Sequence, residues 1–266
     1  MPAINPPRLR IQASELAQKA SDPDAFCSSF HEFLDIYADR TFRPGLVGEP
    51  RPLLRAYQVP PPVSRAVEKA LSDWAGSNRK EALKLADALW GQPILEFRLT
   101  AATLIGQINP LPQKPIISRI ESWILPSTEE RLVDALINSG LARLLVEYQG
   151  QYISQVDTWL RARNQERNRL GLLACRPLIE QRDFEDYPIL FRHLNRFMRY
   201  QKSPLRKDIL TVIEVMAHQA PKETAFFLEN TIKSSAGNEQ VGWYLRRSID
   251  FFPADIRARL RIVLMG

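Results

Sequence analysis

Arginine and lysine residues are concentrated in one part of this 266-residue chain, and phosphate binding is the chemistry that such a concentration suits. Between residues 161 and 207 there are twelve Lys and Arg residues and five Asp and Glu residues, a local charge of +7 in a chain whose net charge is +6. A basic surface attracts phosphates because each phosphate that it neutralises releases a counterion. From charge alone, an ordinary solvated helical face accounts for the segment equally well.

Asp134 is the carboxylate near which we expect any reaction to take place. A helix predicted over residues 128–147 has one apolar side, and Glu130, Arg131, Asp134 and Asn138 follow its other side at helical spacing. The structural alternative is a weak ion pair within the helix, because Arg131 precedes Asp134 by three residues.

Several common kinds of site have no counterpart in the sequence. Cys27 and Cys175 form neither a CxxC pair nor a disulfide framework, and His31, His193 and His218 lack the spacing of zinc ligands. Phosphate-binding glycine loops and GxSxG elbows are also missing. We therefore expect no metal and no cofactor, and we expect both cysteines to pack in the core.

The chain also lacks the apolar segments that direct proteins to membranes. Its first residues, MPAINPPRLR, have no apolar stretch for a signal peptide. No run approaches the ~18 apolar residues that a membrane span needs. These features predict a cytoplasmic protein without a membrane partner, and we expect it to act as a monomer.

The elements that must position these residues are predicted to be helices. Proline is frequent, with 20 residues, glycine is scarce, with 11, and no convincing alternating strand pattern appears. The predicted helices cover residues 13–21, 24–38, 60–74, 79–90, 93–107, 113–124, 128–147, 151–162, 165–180, 186–201, 204–219, 222–233, 239–250 and 254–264.

Helix pairs recur at a nearly constant interval along the chain. Pairs begin near residues 93, 128, 165, 204 and 239, and intervals of roughly 35–39 residues are typical of helical hairpins of the HEAT type. We predict an all-α fold, a right-handed α-α superhelix (solenoid) of HEAT-like repeats, with an irregular helical bundle as the alternative. The whole chain, 1–266, would be one domain, made of N-terminal helices (1–37), an irregular connector (38–62) and repeats (63–266).

Several short motifs give the chain a likeness to a known family. The run LWGQPILEF at 89–97 is followed by Ala101-Ala102, YQVPPPVSR occupies 57–65, Trp159 lies in DTWLRARN, and the helix at 203–221 ends in Ala220-Pro221. In this order and spacing, residues 38–235 resemble the alkylpurine DNA glycosylases built from HEAT-like repeats, the AlkD type.

The resemblance implies a basic groove that grips double-stranded DNA by its backbone. Members of that family hydrolyse the N-glycosidic bond of N-alkylated purines without the flipped-base pocket of most base-excision enzymes. A carboxylate stabilises the positive sugar that develops, and Asp134 falls at its position. An arginine at the DNA backbone falls on Arg169, and we expect Asp134 and Arg169 to face one shared hollow. The full set of expected DNA contacts is Arg161, Arg163, Arg167, Arg169, Arg206 and Lys207.

Two positions depart from the family pattern. The family has tryptophans that pack against the lesion, and this chain has Glu130 and Thr211 at those places. We treat both as lesion-side positions. Trp90 and Trp159 are predicted to lie in the core, and Trp243 is predicted to pack within the last repeat.

Three functions are consistent with these residues. The first is a DNA glycosylase in base excision repair, with Asp134 as the catalytic group. The second is a non-catalytic protein that binds distorted or branched DNA. The third is a protein-interaction scaffold whose groove holds a peptide or an acidic partner.

Overall fold

The computed structural model describes residues 4–39, 54–125, 128–199, 204–235 and 238–265, and over these ranges the chain is helical. The β-type pairing found within these ranges is an isolated parallel bridge between Arg55 and Ile94. The predicted all-α fold is confirmed. Its helices are α1 Pro6–Ala17, α2 Pro23–Tyr37, α3 Pro61–Ser77, α4 Arg79–Gly91, α5 Leu95–Gln107, α6 Lys114–Trp123, α7 Glu130–Asn138, α8 Ala142–Glu147, α9 Gln149–Arg161, α10 Gln165–Ile179, α11 Tyr187–Met198, α12 Arg206–Gln219, α13 Pro221–Lys233, α14 Glu239–Ser248 and α15 Ala254–Met265, with a 3-10 turn at Ile249–Phe251.

The chain divides into two compact units, Met1–Gln149 and Gly150–Gly266. The single superhelical domain and its handedness remain predictions. None of the helices in the described part of the chain is long and apolar enough to cross a membrane.

The first unit begins with a helix that starts earlier than predicted. The first helix is predicted over residues 13–21, whereas α1 already begins at Pro6, where the Asn5 side chain accepts a hydrogen bond from Arg8 N (3.2 Å). Proline suits the first turn of a helix because its missing N–H has no partner there in any case. Most of the predicted connector, residues 40–53, lies outside the described residues.

Aromatic side chains fill much of the core of the first unit. The rings of Phe30 on α2 and Phe97 on α5 have centroids 4.7 Å apart. Trp90 is half-buried rather than fully enclosed, and its ring stacks on that of Trp123 with centroids 4.5 Å apart. In the second unit, Trp159 is buried as predicted, with 1% of its surface exposed.

The helix predicted over 128–147 is broken into α7 and α8. The amides of Ser139 and Gly140 both donate to the carbonyl of Ala135, at 2.9 and 3.0 Å, which ends α7. The turn packs directly on α5, since a Cβ added to Gly106 would lie 1.9 Å from the Ser139 carbonyl oxygen. The Ser139 carbonyl at the break therefore lies in space that is open only because residue 106 of α5 is a glycine.

In the second unit, α12 is the central helix. It packs against α10, α13 and α14. Ile209, Val212, Ile213 and Met216 are buried, so this side of α12 lies between neighbouring helices. Close packing of α9 and α10 depends on Gly171, because a Cβ there would lie 2.8 Å from the Leu160 side chain.

Candidate nucleic-acid interface

Asp134 lies in the middle of α7, on the face that points to solvent. Asp134 and its neighbours Glu130, Arg131 and Asn138 are exposed, while the opposite side of the helix is buried. The predicted division of this helix into two faces is therefore confirmed. The buried side consists of Leu132, Val133, Leu136 and Ile137.

Glu130 is the first residue of α7, one helical turn before Asp134. The two exposed carboxylates are four residues apart on one helix face, so each raises the local density of negative charge. The preceding residue, Glu129, anchors the helix start, because its Oε1 accepts a hydrogen bond from Leu54 N (2.8 Å). The two carboxylates of this face can stabilise a cation by their charge. Glu130, however, provides no aromatic ring that could pack against that cation.

The turn between α9 and α10 positions the arginines of the second unit. Asn164 caps α10 by accepting hydrogen bonds from Glu166 N (2.7 Å) and Arg167 N (3.2 Å). The amide of Asn168 is buried and donates to the carbonyl oxygens of Trp159, Leu160 and Ala162, at 2.9, 3.1 and 2.9 Å. Because one buried amide satisfies three carbonyls at the end of α9, the turn is held in one conformation.

Arg167 and Arg169 lie on either side of Asn168. Arg167 is exposed, and Arg169 is half-buried. Arg163, in the turn itself, is also exposed. Because the turn is rigid, the backbone positions from which these three arginine side chains extend are fixed.

Arg169 faces a carboxylate from a different helix. Its Nε lies 3.6 Å from Asp208 Oδ2 of α12, and the two side chains are 34% and 14% exposed. Asp208 belongs to the same first turn of α12 as Arg206 and Lys207, so this contact brings that basic turn next to Arg169. The sequence pattern gave no indication that Asp208 would pair with Arg169.

Arg161 belongs to a separate network at the end of α9. Its Nε lies 3.0 Å from Asp157, which also accepts a hydrogen bond from His193 Nε2 (2.8 Å). Arg196 donates to the carbonyl oxygen of Leu160 in the same helix end. Burial lowers the pKa of His193, an effect that Asp157 opposes and the neighbouring arginines reinforce.

At the remaining lesion-side position, the side chain is turned back onto its own helix. The hydroxyl of Thr211 donates to the Lys207 carbonyl oxygen (3.1 Å). Thr211 is half-buried, whereas Lys207 is exposed. A tryptophan at this place would present a broad apolar face, and threonine presents a single methyl group.

One comparison with known proteins identifies the family of the chain. The profile of a family of DNA alkylation repair enzymes matches residues 54–249, nearly three quarters of the chain. The chain belongs to the DNA alkylation repair enzyme family. No curated protein matches it closely enough to add a second comparison.

Membership in the DNA alkylation repair enzyme family indicates a role in DNA repair and binding to DNA. The matched range contains Asp134, Glu130, Thr211 and every basic residue that we predicted to contact DNA. It also contains Asn168 and Asp208, the two residues of this interface that sequence analysis missed. For Asn168 the sequence offers one signal: it follows the predicted helix cap Asn164 by four residues, so the two asparagines lie at either end of the first turn of α10.

Both cysteines pack in the core, as predicted. Burial raises the pKa of Cys27 to about 11 and that of Cys175 to about 12, so both are thiols at neutral pH. In the described residues, no three His, Cys, Asp or Glu side chains are grouped closely enough to hold a metal ion.

Proposed function

We propose that this protein binds double-stranded DNA through the sugar-phosphate backbone, using the basic residues at the start of α10 and the start of α12. The observation that supports this best is the pair Arg167 and Arg169 on either side of the buried Asn168 amide. Arginines on a fixed turn lose little conformational freedom when they bind phosphate, so more of the electrostatic attraction appears as affinity.

The proposed contacts predict binding that is independent of base sequence. Arg167→Ala combined with Arg169→Ala should weaken duplex binding equally on unrelated sequences. It should lower the slope of log K against log salt by about 1 to 2, since each lost phosphate contact contributes about 0.9 and Asp208 competes with phosphate for Arg169. Arg176→Ala combined with Arg182→Ala is a matched control, since it removes the same charge from exposed positions that are outside the predicted contacts. Equal losses in the two double variants would contradict the proposal.

We further propose that Asp134 is the catalytic group of an N-glycosidic hydrolysis. N-alkylation makes a purine cationic, so the bond between C1′ and the base breaks with both electrons leaving on the base. Water then adds to C1′ and releases a proton to solvent. Asp134 would stabilise the positive charge that develops on the sugar. Two things support this role: Asp134 is exposed on α7, and the resemblance described above puts it at the position of the family carboxylate.

Release of methylated purine from alkylated duplex DNA tests this step. Wild-type protein should release the base, and Asp134→Ala should abolish the release without loss of DNA affinity. Glu130→Gln removes the neighbouring carboxylate at the lesion side and should reduce the release less than Asp134→Ala does. Release that persists in Asp134→Ala would remove Asp134 from the reaction.

A second function, non-catalytic binding of distorted or branched DNA, is favoured by two particular residues. Glu130 and Thr211 supply no aromatic surface to enclose a lesion, and the Thr211 hydroxyl is bonded to its own helix. This function predicts tight binding to alkylated or branched duplexes with no base release from either.

A further inference from the structure

Trp243 on α14 lies under two guanidinium groups. The Cζ atom of Arg206 is 4.9 Å from the centroid of the Trp243 ring, and that of Arg247 is 5.8 Å from it. Both distances are within the range of about 6 Å over which a cation is attracted by an indole face. The two arginines come from different helices, α12 and α14, so one half-buried ring fixes cations from both.

Arg206 is held by more than the indole. Its Nη2 donates to the side-chain oxygen of Gln240. It also lies close to the buried phenol of Tyr244: burial raises the pKa of Tyr244 to about 12, and the positive charge of Arg206 opposes that rise. Contacts with the Trp243 ring and with Gln240, both on α14, therefore restrict the position of this guanidinium.

Further positive charge surrounds this pair. Lys207 follows Arg206 directly and is exposed, and Arg246 precedes Arg247 and is also exposed. The guanidinium of Arg246 lies back over Gly242, where a Cβ would be 3.3 Å from its Nη1. Like charges held close together raise the electrostatic potential of a surface, and an approaching anion lowers it again.

We propose that Arg206 and Arg247, held on the Trp243 ring, form a phosphate-binding site for the backbone of duplex DNA, in addition to the contacts made by Arg167 and Arg169. This inference rests on the proposed function. Trp243 is a positioning residue here: its ring carries the protein's own guanidinium groups and fixes where they meet a phosphate. Such a site requires an aromatic ring at position 243 and a cation at position 247.

Four variants, each measured for duplex affinity between 50 and 200 mM salt, test the site. Arg247→Gln should weaken binding and lower the slope of log K against log salt by about 1, the loss of a single phosphate contact. Trp243→Leu should weaken binding roughly two- to five-fold, the factor that an exposed cation–π contact supplies, although it removes no charge. Trp243→Phe keeps a ring and should retain most of the affinity. Arg261→Gln, an exposed arginine on α15, is the charge-matched control and should change little.

Circular dichroism of each variant establishes that the fold is kept. Unchanged affinity and slope in Arg247→Gln would overturn the inference, and so would equal losses in Trp243→Phe and Trp243→Leu. The outcome also separates the inference from the proposed function. If Arg167→Ala with Arg169→Ala weakens binding while Arg247→Gln does not, only the second site fails. If wild-type protein shows no salt-dependent duplex binding, both fail.

Discussion

Asp208→Asn should tighten duplex binding, because the carboxylate of Asp208 competes with phosphate for Arg169. Asp208 Oδ2 lies 3.6 Å from Arg169 Nε. At about 3.6 Å the attraction between unit charges is about 1.2 kcal/mol in water and about 4.6 kcal/mol at an effective dielectric constant of 20. Measured values for solvent-accessible pairs are about 1 kcal/mol or less. With a third of the Arg169 side chain exposed, the lower end applies, and we expect a gain of about five-fold in affinity.

Fluorescence anisotropy with a labelled duplex, read as a full salt titration, is a suitable assay. Asp208→Asn should also steepen the slope of log K against log salt by up to about 0.9, because Arg169 then neutralises a phosphate more completely. Asp250→Asn is the charge control: Asp250 lies at a similar distance, 3.7 Å, from Arg257, though in a more exposed pair, and its loss changes the net charge equally. The control separates relief of competition at Arg169 from a general increase in positive charge.

A double-mutant cycle makes this prediction refutable. In the background Arg169→Gln, Asp208→Asn should no longer tighten binding, since the guanidinium for which the carboxylate competes is gone. If Asp208→Asn instead weakens binding as much as Arg169→Gln does, the carboxylate orients Arg169 rather than competing for it. If the tightening survives without Arg169, the competition argument is wrong.

Two further predictions concern the fold. Gly106→Ala should lower the free energy of unfolding by about 3 kcal/mol in a denaturant titration, because the new Cβ meets the Ser139 carbonyl. Gly76→Ala, where the Cβ meets nothing within 4 Å, should raise it by about 0.5 kcal/mol, and similar effects of the two changes would contradict the packing argument. Burial lowers the pKa of His193, so the unfolded chain binds its proton more readily, and this contribution to stability is lost as the pH falls below about 6.5. His193→Gln should therefore flatten the loss of stability between pH 7 and pH 5 in denaturant titrations, and a pH profile parallel to that of the wild-type protein would exclude the effect.

The helices that could be predicted are those whose signals are local. Asp22 and Asn164 cap α2 and α10 with their own side chains, and both helices begin within one residue of the predicted position. The break between α7 and α8 could not be predicted in the same way. It depends on Gly106, more than thirty residues earlier, which makes room for the Ser139 carbonyl. The apolar periodicity of residues 128–147 continues through the break, so the pattern favours one helix.

The same distinction applies to the candidate interface. The exposure of Asp134 follows from its place in the amphipathic pattern of α7, which the sequence displays directly. The pairing of Arg169 with Asp208 depends on how α10 and α12 align, and no local pattern contains that alignment. The early start of α1 has another cause: proline interrupts the interior of a helix, but it is also compatible with the first turn, where Pro6 and Pro7 lie.

The salt dependence of duplex affinity tests the central claim, DNA binding by the basic residues of α9, α10 and α12, most directly. Six backbone contacts predict a slope of log K against log salt of roughly −5. If Arg161 keeps its ion pair with Asp157 and Arg169 keeps its ion pair with Asp208, four phosphate contacts are left and the slope is roughly −4. A slope in this range, the same on unrelated sequences, is the predicted result. A slope near zero, or duplex binding too weak to measure at low salt, would contradict the account.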